Sequence, residues 1–113
     1  KRNIVLSGKA EDLFKKIEQT SIKMIKVISK QKIIKFKKQK GKIVNFKRRN
    51  AKESHLNFKK LKSINKIYDC IRMLDATGYK SANLIIGKYL LEFKNAKIYK
   101  SLLKADVLIR IKK

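Results

Sequence analysis

Residues 64–79 read Ile-Asn-Lys-Ile-Tyr-Asp-Cys-Ile-Arg-Met-Leu-Asp-Ala-Thr-Gly-Tyr, and the rest of the chain is arranged around them. Ile64, Ile67, Tyr68, Ile71 and Leu74 recur at helical spacing, which puts them on one face of a helix. Ser63 predicts the N-cap, its hydroxyl accepting from a first-turn N–H. Gly78 stands where a left-handed residue would end the helix. Asp69 and Arg72, three apart, predict a surface ion pair. Cys70 borders the apolar face and reads as a small core hydrophobe.

Beyond Gly78 the period changes from 3.6 to two. Residues 82–86 and 89–94 flank Gly87-Lys88, a two-residue Gly-X loop of the II′ kind. Tyr89, Leu91 and Phe93 then share one face of the second strand. Ala105, Val107, Ile109 and Ile111 alternate with Asp106, Leu108 and Arg110, which predicts a third strand facing the same core. Residues 95–104 are expected to connect them, with a further short strand around Ile98. The C-terminal half is therefore one helix on a small antiparallel sheet.

Upstream, residues 4–6 form a short apolar run before Ser7-Gly8, a strand end or connector. A helix is predicted over 10–29. Leu13, Phe14, Ile17, Met24, Ile25 and Ile28 line one face, with lysines on the other. Glu11 and Asp12 in its first turn and Lys26 near its end suit the helix dipole. Residues 31–42 carry the densest run of charge and read as a loop or extended linker. Residues 43–46, Ile-Val-Asn-Phe, predict a short strand leading directly to Lys47-Arg48-Arg49. Two adjacent guanidiniums at that point are either a surface charge pair or an anion clamp at a strand terminus.

Composition sets the bounds. The 113 residues suit one small domain, and 43% hydrophobic residues mean a globular chain. With 32 Lys+Arg against 8 Asp+Glu, the formal net charge is +24, which favours polyanionic partners. Most of that charge is lysine, so a generally solvated surface is the first reading and a nucleic-acid face the second. One cysteine excludes an intrachain disulfide and points to a reducing, cytoplasmic setting. No apolar run approaches the ~18 residues of a membrane-spanning helix. One Cys and one His do not make a zinc site, so no metal is expected. Asp69, Asp75, Glu92 and Asp106 are scattered over separate elements without pairing. His55 is expected in an exposed loop, and no catalytic residue is assigned within this chain.

Three landmarks in order resemble the folate-dependent formyltransferases, the family of methionyl-tRNA formyltransferase and the sugar N-formyltransferases. Leu6-Ser7-Gly8-Lys9-Ala10-Glu11-Asp12-Leu13 is similar to the Leu-x-Gly-Thr-Ala-Glu-Glu-Leu opening of the last helix of their catalytic domain. Phe46-Lys47-Arg48-Arg49, followed by Glu53-Ser54, resembles the Arg-Arg segment before their C-terminal module. Ile67-Tyr68, Ile71-Arg72-Met73-Leu74-Asp75-Ala76 and Gly78-Tyr79 resemble the start of that module. The prolines the family carries after the Arg pair and after Gly-Tyr are replaced here by Ala51 and Lys80.

The resemblance implies an α+β fold: the last helix and strands of a Rossmann-like domain, then a small helix-plus-antiparallel-sheet module. Residues 1–60 would be the remnant of the catalytic domain with its linker, and residues 61–113 the module. The family's Asn-x-His pair and catalytic Asp lie upstream of the Leu-Ser-Gly landmark, and Glu53-Ser54-His55 does not supply that pair. The chain, which starts at Lys1 without Met, then reads as the rear half of an enzyme and inactive alone. The implied cofactor is 10-formyltetrahydrofolate, bound mainly by the missing N-terminal half. The implied acceptor is a sugar nucleotide or methionyl-tRNA, with Arg48, Arg49 and Ser54 as acceptor-binding residues. Two other classes remain open: a stand-alone basic module that binds RNA, and a dimerisation piece joining two copies through its sheet edge.

Overall fold

In the computed structural model, residues 2–38 and 40–112 are described. Lys1, Gln39 and Lys113, which belong to the two expected domains and the basic run, lie outside them. The order is α1 (Ala10–Ser29), a 3₁₀ turn (Ala51–Ser54), α2 (Ile64–Arg72), β1 (Ala82–Ile86), β2 (Tyr89–Tyr99) and β3 (Leu102–Ile111). The three strands form one antiparallel sheet in the order β1-β2-β3.

Ser63 caps α2 as the sequence predicts, accepting from the Lys66 N–H at 3.3 Å. The far end differs. The helix stops at Arg72, with Met73 at its C-cap, six residues short of Gly78. Gly78 does take a left-handed conformation, φ +80°, but inside a separate turn closed by the Tyr79 N–H on the Ala76 carbonyl. That is the third position of a type II turn, which a residue without a Cβ fills at least strain.

Ile86 pairs with Tyr89 across Gly87-Lys88, and only the first loop residue has positive φ, Gly87 at +56°. This is the II′ hairpin read from the sequence. The second strand is longer than expected. It runs through Tyr99, and β3 starts at Leu102, so residues 95–104 are a second hairpin rather than a connection. Between Lys94 and Lys97 the register slips at a bulge, where Asn95 sits at φ +50°. Asparagine is among the few residues that tolerate this region. The bulge resets which side chains face inward, so Phe93 and Ala96 both turn toward the core, with Leu103 and Ala105 opposite.

Leu56, Ile71, Leu74 and Ala82 form the buried centre, and Leu61, Ile67 and Cys70 pack around it. Leu56 arrives from the preceding segment and is fastened to the outer edge of β1, its N–H donating to the Asn83 carbonyl at 2.7 Å. The predicted inward face of β3 is covered only in part. Val107, Ile109 and Ile111 are 46%, 60% and 65% exposed, because α2 does not reach them. Its nine residues span about 13 Å, whereas the eleven of β2 span about 37 Å.

Helix α1 holds the predicted bounds but touches the module only at its first turns. Phe14, Ile17, Ile25 and Ile28 remain largely exposed. The radius of gyration, 18.7 Å, exceeds the roughly 13 Å of a compact chain of this length, as α1 projects from the sheet. Residues 43–46 form no strand, and Ile43 and Phe46 are each 90% exposed. Their β propensity finds no neighbouring ladder among the described residues, and propensity alone does not hold an extended pair.

Candidate functional site

The Arg48-Arg49 pair is positioned by the turn that follows it. Asn50 Oδ1 accepts from the Lys52 N–H at 3.0 Å, and Glu53 Oε2 accepts from the Asn50 N–H at 3.0 Å. This reciprocal arrangement satisfies two otherwise unpaired donors and fixes the start of the 3₁₀ turn. The Arg49 guanidinium reaches over the turn and donates to the Glu53 carbonyl. Among the described residues no carboxylate pairs with Arg48 or Arg49.

Opposite stand residues 78–80, at the end of the Ala76–Tyr79 turn. Together the two turns enclose an open groove of about 630 Å³ lined by Arg48, Arg49, Asn50, Ser54, Leu74, Gly78, Tyr79 and Lys80. All three residues singled out in the sequence thus line one groove. Their settings differ, since both arginines are exposed while Ser54 is 4% exposed. The Ser54 hydroxyl lies 3.5 Å from the Lys80 carbonyl oxygen and bridges the two walls. Lys80 and Tyr79 complete the lining and went unread as site residues in the sequence. Their only signal there was position, next to Gly78. Among the described residues no carboxylate lines this groove. A neighbouring groove of about 490 Å³ carries both signs, Glu92 and Asp106 beside Lys94 and Arg110. The first groove is thus the more cationic of the two.

The predicted strand terminus is absent, so the arginines sit in an irregular segment just ahead of the 3₁₀ turn rather than at a sheet end. His55 is exposed as expected, yet it also forms a parallel bridge to Asn83, with Nδ1 3.2 Å from Asn83 Oδ1. Asp69 and Arg72 make the predicted pair at 2.7 Å, and Arg72 also donates to the Gly8 carbonyl at 3.0 Å. Among the described residues no cluster of His, Cys, Asp and Glu has metal-binding geometry, and no helix is long and apolar enough to cross a membrane.

Behind the groove, α1 is fastened by a small polar network. The Asp75 carbonyl accepts from the Glu11 N–H at 3.1 Å, and Glu11 Oε2 accepts from the Thr77 N–H at 2.8 Å. The Phe14 ring leans on Tyr79 with centroids 5.4 Å apart. The Thr77 N–H donation, helped by Lys15 and Lys9, holds the Glu11 carboxyl below its ordinary range against a small opposing desolvation. A carboxyl that titrates lower when folded stabilises the folded form at neutral pH and loses that contribution as acid protonates it. We expect the protection of the Thr77 amide, its exchange compared with an unstructured chain at the same pH, to fall as pH drops below the usual glutamate range, and Glu11→Gln to abolish that dependence. Thr77 protection that does not change with pH in the unsubstituted chain would contradict the assignment.

Two comparisons bear on these features. The family model described as methionyl-tRNA formyltransferase, C-terminal domain, matches residues 51–110. Among solved structures, a methionyl-tRNA formyltransferase from Clostridium thermocellum is 33% identical with a TM-score of 0.84, over 97% of this chain and 48% of that one. The chain thus spans about half the length of that relative. No curated protein matches it. The match begins at the 3₁₀ turn beside the arginine pair and ends near the close of β3, taking in the core and most of the groove. Bounded in this way, the chain belongs to the family of methionyl-tRNA formyltransferase C-terminal domains.

Proposed function

We propose that the full-length protein moves a formyl group from a folate donor to a primary amine, and that this chain provides acceptor-side walls rather than the reacting centre. One observation carries the reading: Arg48, Arg49 and Lys80 converge on a groove without a carboxylate, in a formyltransferase-family chain. Such a groove neutralises phosphate, which either acceptor of the resemblance would bring. The family description and the +24 charge favour tRNA over a sugar nucleotide.

Residues 1–60 are read as the end of a catalytic domain with its linker, and 61–113 as the C-terminal module. The uncovered apolar stripe of α1 supports this, since an amphipathic helix of that kind ordinarily packs on a core. So does the relative, whose other half has no counterpart in these residues. The donor, 10-formyltetrahydrofolate, is read as bound mainly by the missing N-terminal half. The single cysteine suits a cytoplasmic setting.

The test is acceptor formylation by the full-length protein. Arg48→Ala should lower kcat/KM about 10–100-fold, mainly through KM, as one charge-assisted contact is worth roughly 1.5–3 kcal/mol. Arg48→Lys should restore only part, since an ammonium cannot reproduce the guanidinium fork. Unaltered kcat/KM in an Arg48→Ala, Arg49→Ala double variant would remove the reading.

A further inference from the structure

Upstream of the arginine pair the chain presents cations and apolar side chains together. No carboxylate lies between Glu18 and Glu53 in the sequence, and Lys35, Lys37, Lys38, Lys40, Lys42 and Lys47 crowd the middle of that span. The described residues from 31 to 50 form neither helix nor strand, and all are exposed. Phe36 and Phe46 are 89% and 90% exposed, Ile33 and Val44 77% and 65%. Among the described residues no carboxylate pairs with any of these lysines.

A protein partner suits this stretch poorly, because lysine is depleted at the centre of protein interfaces. A stacked RNA strand calls for aromatic platforms in series, and Ile33, Ile43 and Val44 have no π-face to offer. Lysine also supplies compact charge rather than the guanidinium fork that grips single phosphates. Apolar side chains set among ammonium groups match an anionic lipid surface instead. Headgroups attract the cations, while rings and aliphatic groups enter the acyl boundary. Lysine stems lie along that boundary with the ammonium kept in the headgroup layer. We propose that residues 32–38 and 40–47 lay the full-length protein on a membrane surface rich in anionic lipid, with Phe36 and Phe46 as the inserted anchors. The contact is attachment and not passage, since among the described residues no helix is long and apolar enough to cross. Charge and insertion are both needed, as stable surface binding takes two signals.

Co-sedimentation of the full-length protein with lipid vesicles tests this. It should bind phosphatidylcholine vesicles containing phosphatidylserine, ignore phosphatidylcholine alone, and let go as salt rises. Lys35→Gln and Lys37→Gln should each cost about fivefold, the equivalent of roughly 1 kcal/mol per cation at such a surface. Phe36→Ala and Phe46→Ala should each cost about tenfold, the value of one inserted ring. Phe36→Leu and Phe46→Leu should keep most of the binding, because leucine enters hydrocarbon but offers no ring to a base. Acceptor formylation in solution should be the same in all four phenylalanine variants, which separates this contact from the groove. No binding to the anionic vesicles, equal binding to both compositions, or binding indifferent to Phe→Ala overturns the inference. So does a drop in formylation, which would put the rings at the acceptor. Phenylalanine variants that weaken transfer RNA binding, with the leucine forms as weak as the alanine forms, overturn it in favour of an RNA strand.

Discussion

Replacing Ile71 by Ala should lower the stability of the module by about 2–5 kcal/mol. Ile71 is 2% exposed and lies between Leu56, Leu74 and Ala82, where α2 meets the sheet. Truncation removes buried methyl and methylene groups and leaves a void that the surrounding backbone closes only partly. The consequence is severe because the unit is small. At roughly 0.05–0.15 kcal/mol per residue, a unit the size of the matched span, residues 51–110, carries only about 3–9 kcal/mol. Ile71→Val should cost about 0.5–1.5 kcal/mol. Urea denaturation followed by far-ultraviolet circular dichroism reads both, with the midpoint moving and the slope unchanged. A loss under about 1 kcal/mol for the alanine variant would mean that α2 is not the element closing the core.

The second large effect belongs to Asp75, which the sequence offers only as one of several scattered carboxylates. Its side chain is buried, and Oδ2 accepts from the Asn95 N–H at 2.7 Å. Oδ1 lies 3.9 Å from Lys9 Nζ, and the backbone carbonyl takes the Glu11 N–H. One residue thereby joins the exit of α2, the bulge in β2 and the first turn of α1. Asp75→Ala should cost about 2–4 kcal/mol, because the charge-assisted bond is lost and a partly buried N–H is left without an acceptor. The Lys9 pair adds little, being long and partly exposed. Asp75→Asn keeps an acceptor and should lose about half as much. Denaturation combined with amide exchange at Asn95 separates the cases. Slow exchange at Asn95 in the alanine variant would show that another group holds the bulge.

Local rules made α2, its Ser63 cap and the Gly87 hairpin legible, since each depends on residues within one or two turns of chain. The bulge at Asn95 was not legible for the same reason. It shifts the alternation by one residue, so the apolar positions before and after it no longer share a parity, and the strand looked finished at Lys94. Residues 43–46 failed in the opposite direction, as a β-prone tetrapeptide whose ladder partner is absent from the described residues. The arginine pair was visible through its resemblance to a known segment. Tyr79 and Lys80 were not, because what makes them part of a site is a long-range contact between turns some thirty residues apart. Neither residue carries a motif of its own.

Strand β3 leaves its outer edge unpaired among the described residues, with Leu108 and Ile109 exposed on opposite faces. A border of that kind invites a second copy to add on, and what opposes it is mutual repulsion between chains each bearing +24. The range of that repulsion is set by the medium, about 10 Å at 0.1 M ionic strength and about 3 Å at 1 M. Colloidal behaviour should therefore invert the usual laboratory habit. Dilute buffers should keep the chains apart, and concentrated electrolyte should let two such edges pair, a sedimentation coefficient that does not rise with salt contradicting it.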